Sequence, residues 1–230
     1  MPQFYVAPEN IRGKAFTLGA AEAAHIVRVC RLRPGETIRI FDGLGKVYRA
    51  LLSGAAGGSI LESLPAPEPS FKINLCFSLL ARAGTEALLE RCCAAGVDSF
   101  QPVVSSRTQE TRADWERRSA RFRNIFISAC SQSFRPRLPE LFAPVRFSEF
   151  LSAGGTAVIC DFGGMKLPEL SRRLGSSEKI NLFVGPEGGF TAGEISAALG
   201  AGALTFSLGN YVLRAEDAAF AASAALMMGK

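Results

Sequence analysis

The stretch that decides the fold reads Ile180-Asn181-Leu182-Phe183-Val184-Gly185-Pro186-Glu187-Gly188-Gly189-Phe190. Its first five residues are mostly apolar and predict a buried strand, and the glycines that follow predict a turn. Thr191 and Glu194 then form the capping box of a helix over residues 191–199. A buried strand, a glycine loop and a helix in succession are typical of an α/β domain with a mostly parallel sheet covered on both faces.

The same alternation of strands and helices extends over the chain from residue 72 onwards. Further strands are predicted at residues 72–79, 99–104, 156–160 and 203–208, and further helices at 85–95, 114–133, 167–174 and 215–228. Asp114 is the predicted N-cap of the long helix over 114–133. Three alternating prolines in residues 64–69 predict a stiff linker. We therefore predict one domain over residues 1–68 and a second over 69–230.

The first 64 residues have a different pattern, with short β-prone segments interrupted by glycine. Strands are predicted at residues 36–41 and 46–52, and the Asp42-Gly43 pair between them indicates a hairpin. One helix is predicted at residues 20–29. This part of the chain therefore reads as a small β-rich domain.

Composition excludes several classes of protein. Hydrophobic residues make up 48% and charged residues 20% of the chain, which argues against disorder as its main state. No run of eighteen apolar residues exists, and residues 1–5 lack the pattern of a signal peptide. Six cysteines without a CxxC motif predict reduced thiols, and the single histidine, His25, excludes a histidine-rich metal centre. We expect a cytoplasmic protein with neither membrane nor metal partners.

Positive charge is concentrated in two blocks. Residues 12–49 carry eight Lys and Arg against three acids, and residues 107–137 carry the same numbers, although the net charge of the whole chain is only +5. Two basic blocks on an otherwise acidic chain favour a polyanionic partner, and the excess of arginine suits phosphate contacts. For residues 115–123 alone, a solvated helix face is an equally good reading.

Glycine-containing segments follow three of the predicted strands. They begin after Cys160, after Val184 and after Leu208. Ligands of open α/β sheets bind at the carboxyl ends of the strands, where glycine allows the backbone close to the ligand. Neither a P-loop nor a GxGxxG motif is present, so the loops suit a ligand held by backbone hydrogen bonds, such as an adenosine without phosphates. Each loop taken alone is better explained as a tight turn, whereas the three loops together favour a ligand site.

Four segments together resemble a known family. They are residues 184–195, residues 208–216 (Leu-Gly-Asn-Tyr-Val-Leu-Arg-Ala-Glu), residues 25–43 with His25-Ile26-Val27-Arg28-Val29-Cys30-Arg31, and residues 129–140 with Gln132, Arg135 and Pro139. In their order along the chain and in their spacing, these segments are similar to those of the RsmE family, bacterial 16S rRNA (uracil-N3) methyltransferases of the SPOUT superfamily.

The resemblance implies a fold, a cofactor and partners. The expected architecture is an N-terminal PUA-like β-barrel and a C-terminal SPOUT α/β domain with a deep trefoil knot. The expected activity is methylation of N3 of a specific uridine in the 16S rRNA of the small ribosomal subunit, by a homodimer that uses S-adenosylmethionine (SAM). Cofactor-binding residues are expected to be Ile159, Gly185, Glu187, Gly188, Leu208, Gly209, Val212, Leu213 and Ala218.

Two residues are candidates for the chemistry. Arg214 directly follows the third glycine loop and could pair with a uracil carbonyl or a phosphate, or neutralise nearby carbonyls or the dimer partner. Glu216 is the best candidate acid or base, although a carboxylate in the first turn of the last helix is also favoured by the helix dipole alone. Candidate RNA-binding residues are Arg12, Arg28, Arg31, Arg107, Arg135 and Arg137.

The chain departs from the family pattern at Gly84, Ala94, Ser131 and Asp217. The alternative reading is therefore a divergent RNA-binding paralogue whose methyltransferase activity is lost or redirected.

Overall fold

The computed structural model describes residues 1–66, 69–109, 112–151 and 154–229. The chain forms two compact units, one made of Met1–Glu68 with Ile127–Leu138 and the other of Pro69–Phe126 with Pro139–Lys230. A boundary near residue 68 does not anticipate that residues 127–138 return to the first unit. Of the predicted proline linker, residues 67 and 68 lie outside the described residues.

The first unit is built on a six-stranded sheet. Its elements are β1 (Gln3–Tyr5), a 3-10 turn (Pro8–Asn10), β2 (Ile11–Arg12), β3 (Ala15–Thr17), α1 (Ala20–His25), a π-helical turn (Ile26–Cys30), β4 (Thr37–Phe41), β5 (Val47–Gly54) and β6 (Gly57–Leu64). The strand order is β1-β4-β5-β6-β3-β2, in which β1 and β4 are parallel and the other neighbours antiparallel. Apolar residues from the strands, α1 and the turn fill its core, among them Phe4, Phe16, Ile26, Ile38 and Ile40.

The hairpin predicted around Asp42 is confirmed. Strands β4 and β5 pair antiparallel, and the Asp42 carboxylate accepts the backbone N–H groups of Leu44 (2.8 Å) and Lys46 (3.0 Å). Such a carboxylate satisfies turn donors that the ladder leaves unpaired. The helix predicted over residues 20–29 is present, but its second half is π-helical and ends at Arg31, whose φ is 54°.

Residues 127–138 are fastened to this unit by backbone and side-chain contacts. The buried amide of Gln3 donates to the carbonyl oxygens of Cys130 (3.1 Å) and Arg135 (3.3 Å). The Leu138 N–H donates to the Gly43 carbonyl (2.9 Å) at the β4–β5 turn. These contacts place Arg135 and Arg137 of one basic block on the β-rich unit that carries the other block.

The second unit is a parallel sheet with helices. Its elements are β7 (Lys72–Ser78), α2 (Arg82–Ala94), β8 (Ser99–Val104), α3 (Arg112–Ser119), the first part of α4 (Phe122–Ser133), β9 (Glu140–Leu141), β10 (Val145–Arg146), α5 (Phe147–Phe150), β11 (Thr156–Met165), α6 (Leu167–Leu174), β12 (Lys179–Val184), α7 (Ala192–Gly200), β13 (Leu204–Phe206) and α8 (Ala215–Gly229). The order is β10-β8-β7-β12-β11-β13, with β9 on β8, and every pair is parallel. Among the described residues, no helix combines the length and apolarity needed to cross a membrane.

A repeated tetrapeptide sets the register at the centre of the sheet. Strands β7 and β12 both begin Lys-Ile-Asn-Leu and pair residue for residue, so that Asn74 faces Asn181. The buried Asn74 amide donates to the Asn181 side chain (3.0 Å), while Ser99 donates to Asn74 (2.8 Å). Because a shift of register would leave these buried amides unpaired, they favour one alignment of the three strands.

The single helix predicted over residues 114–133 is wrong. The chain forms α3 and α4 with a break between Ser119 and Phe122, and Asp114 lies inside α3 rather than at its N-cap. The break brings buried aromatic rings together. The ring centroid of Trp115 lies 4.9 Å from that of Phe122 and 6.0 Å from that of Phe77. Aromatic packing against the sheet therefore decides the path of a segment whose sequence alone suggests one helix.

Strand β11 is longer than predicted. It continues through Asp161-Phe162-Gly163-Gly164 to Met165, with an irregularity between Cys160 and Met165 where it pairs with β13. The prediction of a glycine turn directly after Cys160 is therefore wrong. A Cβ on Gly164 would lie 2.6 Å from the backbone N and C of Phe206, so this glycine permits close packing of β13.

Replacing Gly164 by alanine is expected to destabilise the second unit by about 1–3 kcal/mol, because β13 must shift to admit the methyl group. Gly163→Ala is the matched control, since a Cβ there would lie 3.6 Å from Asp161 Oδ2, an ordinary contact. Urea unfolding of the two variants measures the difference. Equal stability of both would contradict a packing role for Gly164.

Candidate functional site

The register of the sheet brings segments from β11, β12 and β13 together at the carboxyl end of the sheet. Cys160 of β11 pairs with Phe206, the last residue of β13, and Ile159 pairs with Phe183 near the end of β12. Strands β12 and β13 therefore end at this level of the sheet, whereas β11 continues to Met165. The loops that leave β12 and β13 start here. Carboxyl ends of parallel strands are where α/β sheets bind ligands.

A cavity of about 330 Å³ opens at this edge. Its lining consists of Cys160, Asp161, Phe162, residues 184–190, Ile195, Phe206, Leu208, Gly209, Tyr211, Val212, Leu213, Ala215 and Ala218. The volume lies in the range of small-molecule sites, and the walls are mainly apolar side chains and backbone.

Glycine is required at defined points of this wall. A Cβ on Gly185 would lie 3.0 Å from the Phe190 backbone nitrogen, because the two ends of the loop nearly touch. Gly189 and Gly209 adopt φ values of 67° and 117°, which other residues rarely reach. The loop therefore exposes backbone rather than side chains to the cavity, as a ligand recognised by backbone hydrogen bonds needs.

The predicted capping box anchors the end of the first loop. Thr191 Oγ1 accepts the Glu194 N–H (3.2 Å), and Glu194 Oε2 accepts the Thr191 N–H (2.8 Å). The second carboxylate oxygen of Glu194 accepts the Ser106 N–H (2.7 Å) from the loop after β8. Phe190 is buried 4.8 Å from Phe147 and so fixes the loop to the core.

Arg107 makes a second contact between the loop after β8 and the loop after β12. Its guanidinium donates to the Gly188 carbonyl, and a Cβ on Gly188 would lie 3.3 Å from the Arg107 side chain. The structure thus gives Arg107, predicted as a phosphate ligand, a contact with the cavity loop. The side chain is exposed, so contact with RNA remains a prediction.

The variant Glu194→Gln tests the hydrogen bonds of the Glu194 carboxylate through the pH dependence of folding stability. Burial alone would raise the pKa of Glu194, but hydrogen bonds from Thr191 and Ser106 hold this pKa below its ordinary value of 4.5. A carboxylate with a lowered folded-state pKa adds stability above its unfolded pKa and loses it as the pH falls through the folded pKa. The variant should therefore melt lower at pH 7 and match the wild type in acid below that lowered pKa.

Thermal unfolding over a pH series measures this effect. Glu178→Gln, which removes an exposed carboxylate outside the capping box, serves as the control. A loss of stability in Glu194→Gln that did not change with pH would contradict the role of the charge.

The thiol in the cavity is not activated. Burial, followed by the neighbouring Asp161 carboxylate, raises the pKa of Cys160 to about 12. The side chain is therefore a neutral thiol at physiological pH and contributes an apolar surface rather than a nucleophile. None of the six cysteines forms a disulfide bond.

The predicted cofactor residues come together in the cavity, with one exception. Gly185, Glu187, Gly188, Leu208, Gly209, Val212, Leu213 and Ala218 line it. Ile159 lies in the buried core one residue before the lining, because its side chain points to the opposite face of the strand from that of Cys160. The lining residues that the predicted set does not name are Cys160, Asp161, Phe162, Val184, Pro186, Gly189, Phe190, Ile195, Phe206, Tyr211 and Ala215. Asp161 and Phe162 lie in a segment that the sequence predicts as a turn and that the structure places in β11.

The two candidate catalytic residues lie beyond the cavity lining. Arg214 is exposed between the lining residues Leu213 and Ala215, and its carbonyl accepts the Ala218 N–H (2.8 Å) in the first turn of α8. Glu216 is half-buried in that turn and lies 3.5 Å from the position of a Cβ on Gly84. Arg214 is thus exposed at the rim of the cavity, while Glu216 faces α2.

The remaining candidate arginines belong to the first unit. Arg12, Arg28, Arg31 and Arg137 are exposed, and Arg135 is half-buried. The Arg137 guanidinium lies over Gly45, 2.9 Å from where a Cβ would be. In the described part of the chain, no three His, Cys, Asp or Glu side chains come together as metal ligands.

Comparisons with known proteins agree with this geometry. Residues 67–227 match the family described as RNA methyltransferase domain, and residues 18–61 match the RNA methyltransferase PUA domain. Ribosomal RNA small subunit methyltransferase E of Synechocystis sp. is 34% identical over 93% of this chain and 73% of its own length. The protein of that name from Mycobacterium bovis is 28% identical over 97% and 90%.

Two solved structures are similar over nearly their whole length. Ribosomal RNA small subunit methyltransferase E from Neisseria gonorrhoeae, bound to S-adenosyl methionine, has a TM-score of 0.87 at 34% identity and covers 99% of this chain and 97% of its own. A structure from Legionella pneumophila, solved with bound SAM, has a TM-score of 0.88 at 26% identity with the same coverage.

Proposed function

Because the chain belongs to the ribosomal RNA small subunit methyltransferase E (RsmE) family, we propose that it methylates N3 of a uridine in the 16S rRNA of the small ribosomal subunit, with SAM as methyl donor. The single observation that carries the proposal is the cavity at the carboxyl end of the sheet, whose lining includes Gly185, Gly188, Gly189 and Gly209. The reaction is assigned to the cytoplasm, where small subunits are present.

The cavity fits this cofactor. Gly185 allows the two ends of its loop to lie against each other, and Gly209 has a φ that suits glycine, so the loops present backbone to an adenosine. Apolar side chains such as Ile195, Leu208 and Ala218 offer van der Waals contact to a base. We assign cofactor binding to the predicted residues that line the cavity, without Ile159.

The chain must also handle the proton on uracil N3. Bound SAM supplies an electrophilic methyl group, and the protein must place N3 in line with it while negative charge develops on the uracil ring. Arg214 lies at the rim directly after Leu213, so its fork of donors can stabilise a carbonyl oxygen of that ring. Glu216 remains the candidate proton acceptor, and its position beside α2 favours the simpler role of a first-turn carboxylate.

RNA contact is assigned to both basic blocks. Arg12, Arg28, Arg31, Arg135 and Arg137 lie on the first unit, which matches the PUA family, and Arg107 lies on the second. Arginines bind phosphates through two parallel hydrogen bonds, which positions RNA without reading its sequence. We therefore assign the first unit to RNA binding and the second to methyl transfer.

A homodimer and a knotted chain complete the proposal. Tyr211 and Val212 are apolar or aromatic side chains with 86% and 80% of their surface exposed beside the cavity. A second copy of the chain is the partner that we propose to cover them. The trefoil knot of the SPOUT superfamily is proposed for the segment from β12 to α8.

Methyl transfer from labelled SAM to small ribosomal subunits from a strain lacking this protein tests the proposal. Nucleosides from the digested RNA are then identified by mass, and N3-methyluridine is the expected product. Binding of SAM without methylation would favour the alternative of redirected activity, which Gly84, Ala94, Ser131 and Asp217 motivate. Absence of both would favour an RNA-binding paralogue.

A further inference from the structure

The charge on the cavity wall has one sign. Asp161 and Glu187 are acidic, and no lysine, arginine or histidine is among the lining residues that the structure describes. Asp161 is half-buried within β11, and Glu187 is exposed in the loop after β12. The two carboxylates thus come from two of the segments that form the cavity.

The nearest arginines in the chain segments around the cavity, Arg107 and Arg214, lie outside its lining. Arg107 is engaged with the Gly188 carbonyl, on the loop that carries Glu187. Asp161 Oδ2 accepts the Gly163 N–H (3.3 Å), and within the described ranges no salt bridge joins Asp161 or Glu187 to a basic side chain. The lining itself therefore contributes a negative potential, which its apolar walls strengthen relative to open water.

On the premise of the proposed function, we propose that Asp161 and Glu187 make the cavity selective for the positively charged sulfonium of SAM over the neutral thioether of its product. Methyl transfer breaks the bond between sulfur and the methyl carbon and leaves the electron pair on sulfur. The methyl group joins uracil N3, whose proton passes to the base, for which Glu216 is the candidate, and from there to solvent. The ligand thereby loses one positive charge, and the two carboxylates lose their attraction for it, which speeds product release.

Charge neutralisation with calorimetric binding tests this selectivity without any need for turnover. The probes are SAM, S-adenosylhomocysteine and sinefungin, in which an amine-bearing carbon replaces the sulfonium. Asp161→Asn with Glu187→Gln is expected to lower SAM affinity about three- to tenfold and S-adenosylhomocysteine affinity less than about twofold. Sinefungin should follow SAM, and the difference should shrink with added salt.

Controls separate selectivity from folding. Glu90→Gln removes one exposed carboxylate on α2 outside the cavity and should leave both affinities unchanged. Glu187→Gln alone changes an exposed side chain, so it reports on charge even if Asp161→Asn disturbs β11. Each single variant should show part of the effect of the double variant.

Two results would overturn the proposal. An equal loss for SAM and S-adenosylhomocysteine would mean that the carboxylates contact a group that both share, such as the amino group. Unchanged affinities would mean that the wall charge does not act on the ligand. A wild-type protein that binds neither molecule would instead contradict the proposed function.

Discussion

Gly185→Ala is expected to lower the affinity for SAM by about tenfold or more, which corresponds to about 1.4 kcal/mol or more of binding free energy. The added Cβ would lie 3.0 Å from the Phe190 nitrogen and 3.2 Å from the Gly189 Cα, so backbone on both sides of the loop must move. The moved backbone is the wall that approaches the ligand. Calorimetric titration of SAM into the variant measures the loss.

Gly193→Ala is the matched control on the helix that follows the same loop. Gly193 is exposed on α7, and a Cβ there would lie 3.9 Å from Thr191 Oγ1, an ordinary contact. This change should leave SAM affinity unaltered and stabilise the fold by about 0.4–1 kcal/mol, because alanine restricts the unfolded chain. Wild-type affinity in Gly185→Ala, with the fold intact by circular dichroism, would contradict the assignment of the loop to the cofactor.

Arg214→Ala is expected to slow methyl transfer to small ribosomal subunits by about a hundredfold, a typical loss when one donor to a developing anion is removed. SAM affinity should change by less than about twofold, because Arg214 lies outside the cavity lining. Single-turnover transfer of labelled methyl groups, with SAM saturating, measures the chemical step separately from cofactor binding.

Two further variants define what Arg214 contributes. Arg214→Lys keeps the charge but loses the planar fork, so it should recover only part of the rate if the contact is bidentate. Arg173→Ala removes an exposed arginine on α6 and should not change the rate. A rate for Arg214→Ala within a few-fold of the wild type would show that the residue serves neither the uracil nor its positioning.

Several elements follow from patterns that act within a few residues. The Thr191–Glu194 capping box, the Asp42 hairpin and the buried strand before Gly185 were predicted from sequence and are confirmed. Each depends on hydrogen bonds or periodicity between neighbours in the chain, which the tertiary context does not need to supply. The family motifs likewise located most of the cavity lining, because its loops are continuous stretches.

The elements that prediction missed depend on partners distant in the chain. The break between α3 and α4 follows from the packing of Trp115 and Phe122, and Gly164 lies within a strand because β13 packs against it. Residues 127–138 belong to the first unit through contacts with Gln3 and Gly43. Local sequence propensities do not include contacts between residues that are distant in the chain.

By itself, the sequence determined the alternation of strands and helices, the capped glycine loop and the family. The tertiary structure decided the chemistry of the cavity wall: it placed Asp161 beside the loop of Glu187 and turned Arg107 to the Gly188 carbonyl, 81 positions away. The physical reason is that hydrogen bonds within a turn act between chain neighbours, whereas the charge of a cavity is summed over segments that only the packed sheet brings together.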